Sequence, residues 1–507
     1  MIDDKCCRKC EPQSEVDIVD APLEAVNTIT LNEAFTRDAR YELLLGLMRE
    51  KVLLIDGGMG TSLQAENLTP DDFGGEELDG CNENLVLTRP ELIQSIHEDY
   101  FKAGADIVET NSFGSTPLVM SEYDLQDQAL HISKVSAELA RRAADNYSTE
   151  EHPRFVAGSI GPTTKAISVT GGVTYEELVE SYHVQIKGLL QGGIDIILIE
   201  TTQDTINLRA ALEGAHLAMI ETGIYRPGMI SVTIEPMGTM LGGQSIEAVL
   251  TSMSHLSLIG FGLNCSTGPQ SMTSHVRALS EISPFPVFCM PNAGLPNEDG
   301  EYEDSPEDMG NILQKFADNG WINIVGGCCG TDASYIEYFD KVRDNFKPRT
   351  LDYRRGSYVS GIEFLEIDED SRPILVGERT NIIGSRKFKK LVIGNKWEEA
   401  AEIGRKQIKG GAQVLDVCLA NPDRDEKQDM LDFLPEVVRK VKAPIMIDST
   451  EDDIFEMAVQ MLPGKCILNS INLEEGEGRF EEVSRIVRRH GGSVVVGCID
   501  EDPEQGM

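Results

Sequence analysis

The sequence lacks any long hydrophobic run, and no stretch approaches the roughly 18 apolar residues that a membrane span requires. An apolar region typical of a secretory signal is also missing after the charged start of the chain. Basic residues are scarce, since 45 Lys and Arg stand against 85 Asp and Glu, for a formal charge of −40. Such an acidic chain repels nucleic-acid phosphates and anionic membrane surfaces. We therefore expect a cytoplasmic protein that binds neither nucleic acid nor membranes.

The cysteine count of 11 is odd, which argues against a framework of disulfides. In a long cytosolic chain, cysteines are usually reduced thiols or metal ligands. Cys289 lies in an apolar run and is expected to be a small core residue. Cys6, Cys7 and Cys10 fall in a polar segment without periodic pattern. We interpret residues 1–35 as a mobile polar leader.

Short runs rich in Val and Ile alternate with longer helix-patterned segments from residue 52 onward, which is typical of repeated βα units. Eight such runs begin at Val52, Asp106, Phe155, Asp195, Met229, Leu258, Pro286 and Ile322. No GxGxxG fingerprint follows Asp56, which disfavours an open, doubly wound sheet. The pattern predicts a closed α/β barrel, a (β/α)8 TIM barrel, over residues 36–346.

A second series of βα units follows a charged connector at residues 347–372, where a packed core is not expected. Its five strand-like runs begin at Ile374, Gln413, Pro444, Cys466 and Ser493. Five parallel strands leave a long unpaired edge, and a barrel of this kind needs three more units. We therefore expect residues 373–507 to be an incomplete TIM-type barrel that is truncated or completed by another segment.

Chemically active residues stand where the strands of the first barrel end, and such residues meet at one mouth of a barrel. They are Asp56, Glu109, Asn111, Glu200, Asp204, Cys265, Asn292, Cys328 and Cys329. A catalytic zinc ion typically has three protein ligands and one open position, which Cys265, Cys328 and Cys329 can provide. Small residues at a strand end can also be simple tight packing, and that alternative stays open.

A zinc site with three thiolates suits one kind of reaction. A free thiol has a pKa of about 8.5, and coordination to Zn²⁺ removes its proton. Three thiolates leave a bound sulfur electron-rich, which favours alkyl transfer to sulfur over hydrolysis. Asp56 and Glu200 can hold an ammonium group, and Gly57 and Gly58 can offer N–H groups to a carboxylate. The pattern thus predicts an amino-acid thiol as substrate, unless these carboxylates only tie loops together.

These motifs resemble the homocysteine-binding module of cobalamin-dependent methionine synthases. The resemblance is carried by DGGMGT from Asp56, ETNSF from Glu109, GSIGP from Gly158, IETTQD from Ile199, GLNCS from Gly262 and GGCCGT from Gly326. It implies that Cys265, Cys328 and Cys329 are the zinc ligands. It also places Asp56, Gly57, Gly58, Glu109 and Glu200 around homocysteine.

The second series resembles the folate-binding module of the same family, through GERTNIIGS from Gly377, LDV from Leu415, IDST from Ile447, LNSIN from Leu468 and IDED from Ile499. Carboxylate and amide side chains suit a pterin because its ring edge carries parallel hydrogen-bonding groups. The predicted contacts to 5-methyltetrahydrofolate are Glu378, Asn381, Asp416, Asp448, Asn469 and Asp500. Each could instead be a helix N-cap.

The resemblance implies methyl transfer from 5-methyltetrahydrofolate through a corrinoid to homocysteine, giving methionine. We find no DxHxxG motif of a corrinoid-binding module and no activation module, so the cobalamin is expected on a missing module or in trans. One alternative is a corrinoid-independent homocysteine S-methyltransferase that uses a sulfonium donor. Another is a non-catalytic fragment that only binds thiol or zinc.

Overall fold

The computed structural model describes residues 29–298, 300–351, 356–474 and 476–499. They form an eight-stranded parallel barrel, a two-stranded hairpin and a five-stranded parallel sheet. In these ranges no helix is both long and apolar enough to cross a bilayer.

The barrel is built from strands and helices that alternate along the chain. Its strands are β1 Leu53–Leu54, β2 Ile107–Glu109, β3 Phe155–Ile160, β4 Ile196–Thr202, β5 Gly228–Val232, β6 Gly260–Asn264, β7 Val287–Met290 and β8 Ile324–Val325. Its helices are α1 Leu31–Thr36, α2 Ala39–Glu50, α3 Met59–Ala65, α4 Pro70–Phe73, α5 Leu85–Thr88, α6 Pro90–Lys102, α7 Pro117–Met120, α8 Ala129–Tyr147, α9 Tyr175–Gly192, α10 Thr205–Thr222, α11 Ile246–Met253, α12 Pro269–Ile282, α13 Pro306–Asp318 and α14 Ala333–Val342.

The sheet of the barrel has the order β1-β8-β7-β6-β5-β4-β3-β2, and all its paired strands are parallel. A parallel bridge between Ile55 and Ile107 joins the two ends of this order. Nearly every strand residue is buried, as expected for strands packed on both faces. The predicted barrel is confirmed.

Helix α1 lies, except for its last residue, within the segment interpreted as a mobile leader. Thr30 and Glu33 form a capping box at its start. Its apolar side chains are buried, and the Phe35 ring lies so close to Gly228 that a Cβ there would be 2.7 Å from the ring. Residues 29–35 therefore belong to the barrel, because their apolar face packs on it. Cys6, Cys7 and Cys10 lie outside the described residues.

The second domain has the strand order β11-β12-β13-β14-β15, all parallel. Its strands are β11 Val376–Asn381, β12 Val414–Cys418, β13 Ile445–Asp448, β14 Ile467–Ile471 and β15 Ser493–Val496, and its helices are α15 Arg386–Ile393, α16 Trp397–Lys409, α17 Glu426–Lys440, α18 Asp452–Met461 and α19 Glu477–His490. Strand β12 is buried throughout, whereas Val376 and Val496 on the two outer strands are exposed. The five predicted strands are confirmed, and within the described ranges no strand pairs with the outer edges of β11 and β15.

The connector is partly ordered, contrary to the expectation of a charged linker at 347–372. It contains an antiparallel hairpin of β9 Tyr358–Ser360 and β10 Phe364–Glu366. The Ser245 N–H of the barrel donates to the Ile362 carbonyl, and the Glu363 N–H donates to the Lys442 carbonyl of the second domain. The hairpin thus joins both domains, because its backbone groups pair on each side while its charged side chains face outward.

Arg209 on α10 is buried in the contact between the two domains. Its guanidinium donates to the His490 carbonyl at 2.5 Å and to the Gly464 carbonyl at 2.9 Å. An ion pair between Glu213 of α10 and Arg489 of α19 joins the same two parts of the chain. The charged guanidinium of Arg209, which donates to two backbone carbonyls, therefore fixes α10 against the second domain.

We expect Arg209→Met to loosen this contact. Two buried carbonyls lose their donors, and each unsatisfied group costs about 1–3 kcal/mol. In scanning calorimetry, we expect the two domains of the wild-type protein to unfold together and those of the variant to unfold in separate transitions. Arg277→Met is the matched control, since Arg277 is 65% exposed in a surface pair with Glu281. Equal behaviour of the two variants would contradict the role given to Arg209.

Candidate functional site

Three cysteine sulfurs converge at the mouth of the barrel. The Sγ atoms of Cys265, Cys328 and Cys329 all lie within 4.8 Å of one another, and those of Cys265 and Cys329 are 3.9 Å apart. Cys265 follows β6, and the other two follow β8. The structure thus places at one rim three residues that lie up to 64 positions apart in the sequence.

The loops that carry the sulfurs have unusual backbone conformations. Cys265 and the following Ser266 have φ values of 60° and 62°, a left-handed conformation that is uncommon outside glycine. The Cys328 N–H donates to the Pro291 carbonyl, and the Cys329 N–H donates to the Asn292 side chain at 3.1 Å. The Cys265 N–H donates to the Met290 carbonyl at 3.1 Å, so groups at the end of β7 hold the backbone of all three cysteines.

The sulfur cluster fits a tetrahedral metal ion. A Zn–S bond of about 2.3 Å implies sulfur atoms about 3.8 Å apart in a tetrahedral site. The 3.9 Å between Cys265 and Cys329 matches that spacing. Hydrogen bonds from the Cys265 and Cys328 thiols lower the pKa of Cys329 to about 3, and the same crowding raises the pKa of Cys328. The cluster therefore favours a thiolate even before a cation is bound.

Three carboxyl groups lie close together beside the cysteines, and we call this group the carboxylate pocket. Asp56 accepts a hydrogen bond from the Glu109 N–H at 2.9 Å through one oxygen, while its Oδ1 has no partner. Glu109 Oε1 is also buried without a partner. Glu200 accepts from Ser159 at 2.5 Å. The structure thus brings together Asp56 and Glu200, the two carboxylates predicted to hold an ammonium group, and adds Glu109, which the family resemblance placed near homocysteine.

Burial raises the pKa of all three carboxyl groups. For Glu200 the value rises to about 7, and the charge of Cys265 adds to the effect. For Asp56 and Glu109, the charge of Glu200 adds to the cost of burial. Because like charges disfavour joint ionisation, a cation among these groups would be strongly stabilised.

The glycines after β1 serve close packing. The Gly58 N–H donates to the Thr331 carbonyl at 3.0 Å, so the prediction that this N–H is free for a substrate carboxylate is wrong. A Cβ on Gly58 would lie 2.7 Å from the Cys328 carbonyl oxygen, and one on Gly57 would lie 2.8 Å from Thr331 Oγ1. The absent side chains let the β1 loop pack directly against the loop that holds Cys328.

Two other residues expected at the mouth have structural partners. Asp204 caps α10 by accepting from the Ile206 N–H. Asn111 donates to the Asn82 carbonyl at 2.8 Å. In contrast, sequence reasoning missed Asn264, although it stands in the GLNCS motif from Gly262, and its side chain contacts Glu200 at 3.3 Å.

A second polar cluster lies at the strand ends of the second domain. Asn381 donates to Asp416 at 3.3 Å and to Asp448 at 3.1 Å. Burial and the charge of Asp448 raise the pKa of Asp416 to about 6, and Glu378 also contributes. Four of the residues predicted to contact the pterin therefore share one electrostatic environment.

The two remaining predicted pterin contacts are Asn469 and Asp500. Asn469 is the register partner of Asp448 across β13 and β14, so it lies at the same edge of the sheet. Asp500 lies outside the described residues.

Comparisons with known proteins agree with this geometry. Residues 53–342 match the family of homocysteine S-methyltransferases, and residues 377–507 match the pterin binding enzymes. The structure resembles the Escherichia coli homocysteine methyltransferase MmuM in its metallated form, with a TM-score of 0.50 and 23% identity over 60% of this chain and 99% of that one. The oxidized form of MmuM gives a TM-score of 0.50 and 22% identity over the same shares.

At this level of identity, the likeness to MmuM supports the barrel fold alone. The family match is broader, since residues 53–342 make up more than half of the chain. The protein therefore belongs to the homocysteine S-methyltransferase family of methyltransferases and carries a pterin-binding domain behind its barrel.

Proposed function

We propose that this protein transfers a methyl group from 5-methyltetrahydrofolate, through a corrinoid, to the thiol of homocysteine, as the N-terminal part of a cobalamin-dependent methionine synthase. The observation that carries the proposal is the cluster of Cys265, Cys328 and Cys329 within 4.8 Å, next to buried carboxylate oxygens without partners. One group of residues suits a thiol, and the other suits an amino group. Homocysteine contains both.

The cysteines would hold a zinc ion by three thiolates. When bound, that ion supplies the positive charge that keeps a substrate thiol deprotonated at neutral pH. The backbone hydrogen bonds to Cys328 and Cys329 set the directions of the sulfurs, so the protein positions the ligands before the substrate arrives. Tyr302 lies beside the cluster, because its hydroxyl hydrogen-bonds to Cys329 and helps to lower the pKa of that thiol.

The carboxylate pocket would hold the amino group of homocysteine. Asp56 Oδ1 and Glu109 Oε1 are buried acceptors without partners, and such atoms are costly unless a donor reaches them. An ammonium group donates up to three hydrogen bonds. Its charge would also offset the repulsion among Asp56, Glu109 and Glu200.

The second domain would supply the methyl donor. Asp416 and Asp448, joined by Asn381, offer acceptors to the amino-pyrimidinone edge of a pterin. The match of residues 377–507 to pterin binding enzymes supports this assignment. A corrinoid on another module or protein would act as the methyl carrier.

Methionine formation from defined donors tests the proposal. The zinc-loaded protein is incubated with homocysteine in three mixtures: methyltetrahydrofolate with a corrinoid protein, methyltetrahydrofolate alone, and S-methylmethionine alone. We expect methionine in the first mixture only. Methionine in the third mixture would replace the folate donor by a sulfonium donor, and homocysteine binding without methionine in any mixture would favour a binding fragment.

A further inference from the structure

Strand β4 contains an irregularity next to Glu200. The register between β4 and β5 shifts between Ile199 and Thr202, which marks a β-bulge. Thr201 within this bulge has a φ of 55°, a strained conformation for a β-branched residue. Bulges beside active sites commonly redirect a side chain. Here the residue at the bulge is Glu200, whose carboxylate faces the pocket.

A bulge with a left-handed residue usually has glycine at that position, because glycine adopts a positive φ without strain. In this protein, the side chain of Asn264 on β6 supports the threonine instead. Its Oδ1 accepts from the Thr201 N–H at 3.0 Å, and its Nδ2 donates to Thr201 Oγ1 at 2.8 Å. The hydroxyl of Ser231 on β5 donates to the same Oδ1 at 2.8 Å.

Asn264 also contacts the carboxylate that the bulge redirects. Its Nδ2 lies 3.3 Å from Glu200 Oε2, while the other oxygen of Glu200 accepts from Ser159 at 2.5 Å. The Asn264 side chain is fully buried. The same Nδ2 lies 3.9 Å from Cys328 Sγ. A single amide thus joins the strained backbone, the carboxylate pocket and the sulfur cluster.

We propose that Asn264 is a positioning residue that holds Thr201 in its left-handed conformation, aims Glu200 at the substrate ammonium group and so makes the barrel select thiols with an α-amino group. The inference rests on the proposed function, because it assigns the amino group of homocysteine to the carboxylate pocket. It adds that the backbone conformation of Thr201 determines the preference for thiols with an amino group.

Binding of two thiols tests the inference. Titration calorimetry on zinc-loaded protein gives dissociation constants for homocysteine and for 4-mercaptobutyrate, which is homocysteine without its amino group. In Asn264→Ala, Glu200 loses its fixed direction and with it the hydrogen bond to the substrate ammonium group, and a hydrogen bond between charged groups corresponds to about 10- to 100-fold in affinity. We expect the homocysteine constant to rise by about that factor, the 4-mercaptobutyrate constant to change by less than about 3-fold, and the zinc content to stay unchanged.

A second variant separates the backbone role of Asn264 from any direct role. In Asn264→Ala combined with Thr201→Gly, glycine adopts the positive φ without support. We expect this double variant to recover most of the preference for homocysteine. Thr201→Gly alone is the reference for the double variant, and melting temperatures establish that each protein is folded.

The possible failures point to different conclusions. If zinc content falls together with homocysteine affinity and glycine does not restore the preference, Asn264 acts on the metal site through Cys328, and the inference is overturned. If wild-type protein prefers homocysteine and Asn264→Ala keeps that preference, the inference fails while the proposed function stands. If wild-type protein binds both thiols equally, the ammonium pocket of the proposed function is wrong and the inference falls with it.

Discussion

Replacing Cys328 by serine is expected to abolish homocysteine binding and to leave the purified protein without stoichiometric zinc. Serine keeps the size of the side chain but offers a hard, protonated oxygen in place of a soft thiolate. The Cys328 sulfur is one of three within 4.8 Å of one another, and no other Cys, His, Asp or Glu of the described residues belongs to this cluster.

Removal of a residue that only hydrogen-bonds to a metal ligand lowers metal affinity by up to about 100-fold. Because Cys328 is itself a ligand, we expect its replacement to lower zinc affinity by more than that. Zinc is measured by elemental analysis after dialysis against a chelator, and homocysteine binding is measured on the same samples. With a neutral alcohol in place of the thiolate, the remaining two sulfurs hold a cation too weakly to keep a substrate thiol deprotonated.

Cys498→Ser is the matched control for this substitution. Cys498 is an exposed free cysteine in the second domain, so its replacement removes a thiol without touching the cluster. We expect full zinc content and unchanged homocysteine binding in this variant. Full zinc retention in Cys328→Ser would instead count against the metal site.

Much of the barrel was predictable from sequence because each strand and helix has its own local pattern. The runs at Phe155 and Asp195 became β3 and β4 with few shifts in their bounds. The meeting of Cys265 with Cys328 was predictable for a related reason, since a closed parallel barrel brings its strand ends to one rim. Topology alone gave the proximity, without any knowledge of side-chain packing.

Contacts that join different elements were not predictable in this way. The charged composition of residues 347–372 predicts a linker, but strand β9 of the hairpin buries Val359 and Ser360, two successive residues without an alternating pattern. The role of Asn264 depends on the conformation of Thr201, which no local pattern reports. The contact of Arg209 with the His490 carbonyl links positions 281 residues apart. Each depends on packing between units that fold from separate parts of the sequence.

Among the substitutions considered, Asp106→Asn is expected to lower the free energy of unfolding of the barrel the most. Asp106 immediately precedes β2, at the opposite end from the cysteines, and is 1% exposed. It pairs with Lys51 at 2.9 Å, His152 at 2.8 Å and Arg343 at 2.8 Å, and it accepts from the Leu54 N–H at 2.9 Å. One carboxylate therefore ties β1 and the chain after α14 to the base of β2.

The pKa of Asp106 shows how strongly its surroundings favour the charged form. Burial alone would raise it, but the hydrogen bond to His152 and the charges of Arg343 and Lys51 lower it from 3.8 to about 2. A shift of this size corresponds to about 2 kcal/mol of stability. Because the folded pKa is depressed, this contribution is complete above about pH 4 and is lost as the pH falls through about 2.

At neutral pH, we expect Asp106→Asn to lower the free energy of unfolding of the barrel by about 3 kcal/mol, since it breaks a buried ion pair and leaves cations without a partner. Urea unfolding of both proteins between pH 7 and pH 2 checks the sign, because the difference between them should shrink as Asp106 of the wild-type protein becomes protonated. Glu337→Gln is the control, as Glu337 is 59% exposed in its surface pair with Lys341 and should leave the unfolding midpoint nearly unchanged. A difference that stays constant down to pH 2 would show that the loss comes from altered packing, and the charge of Asp106 would then have no part in it.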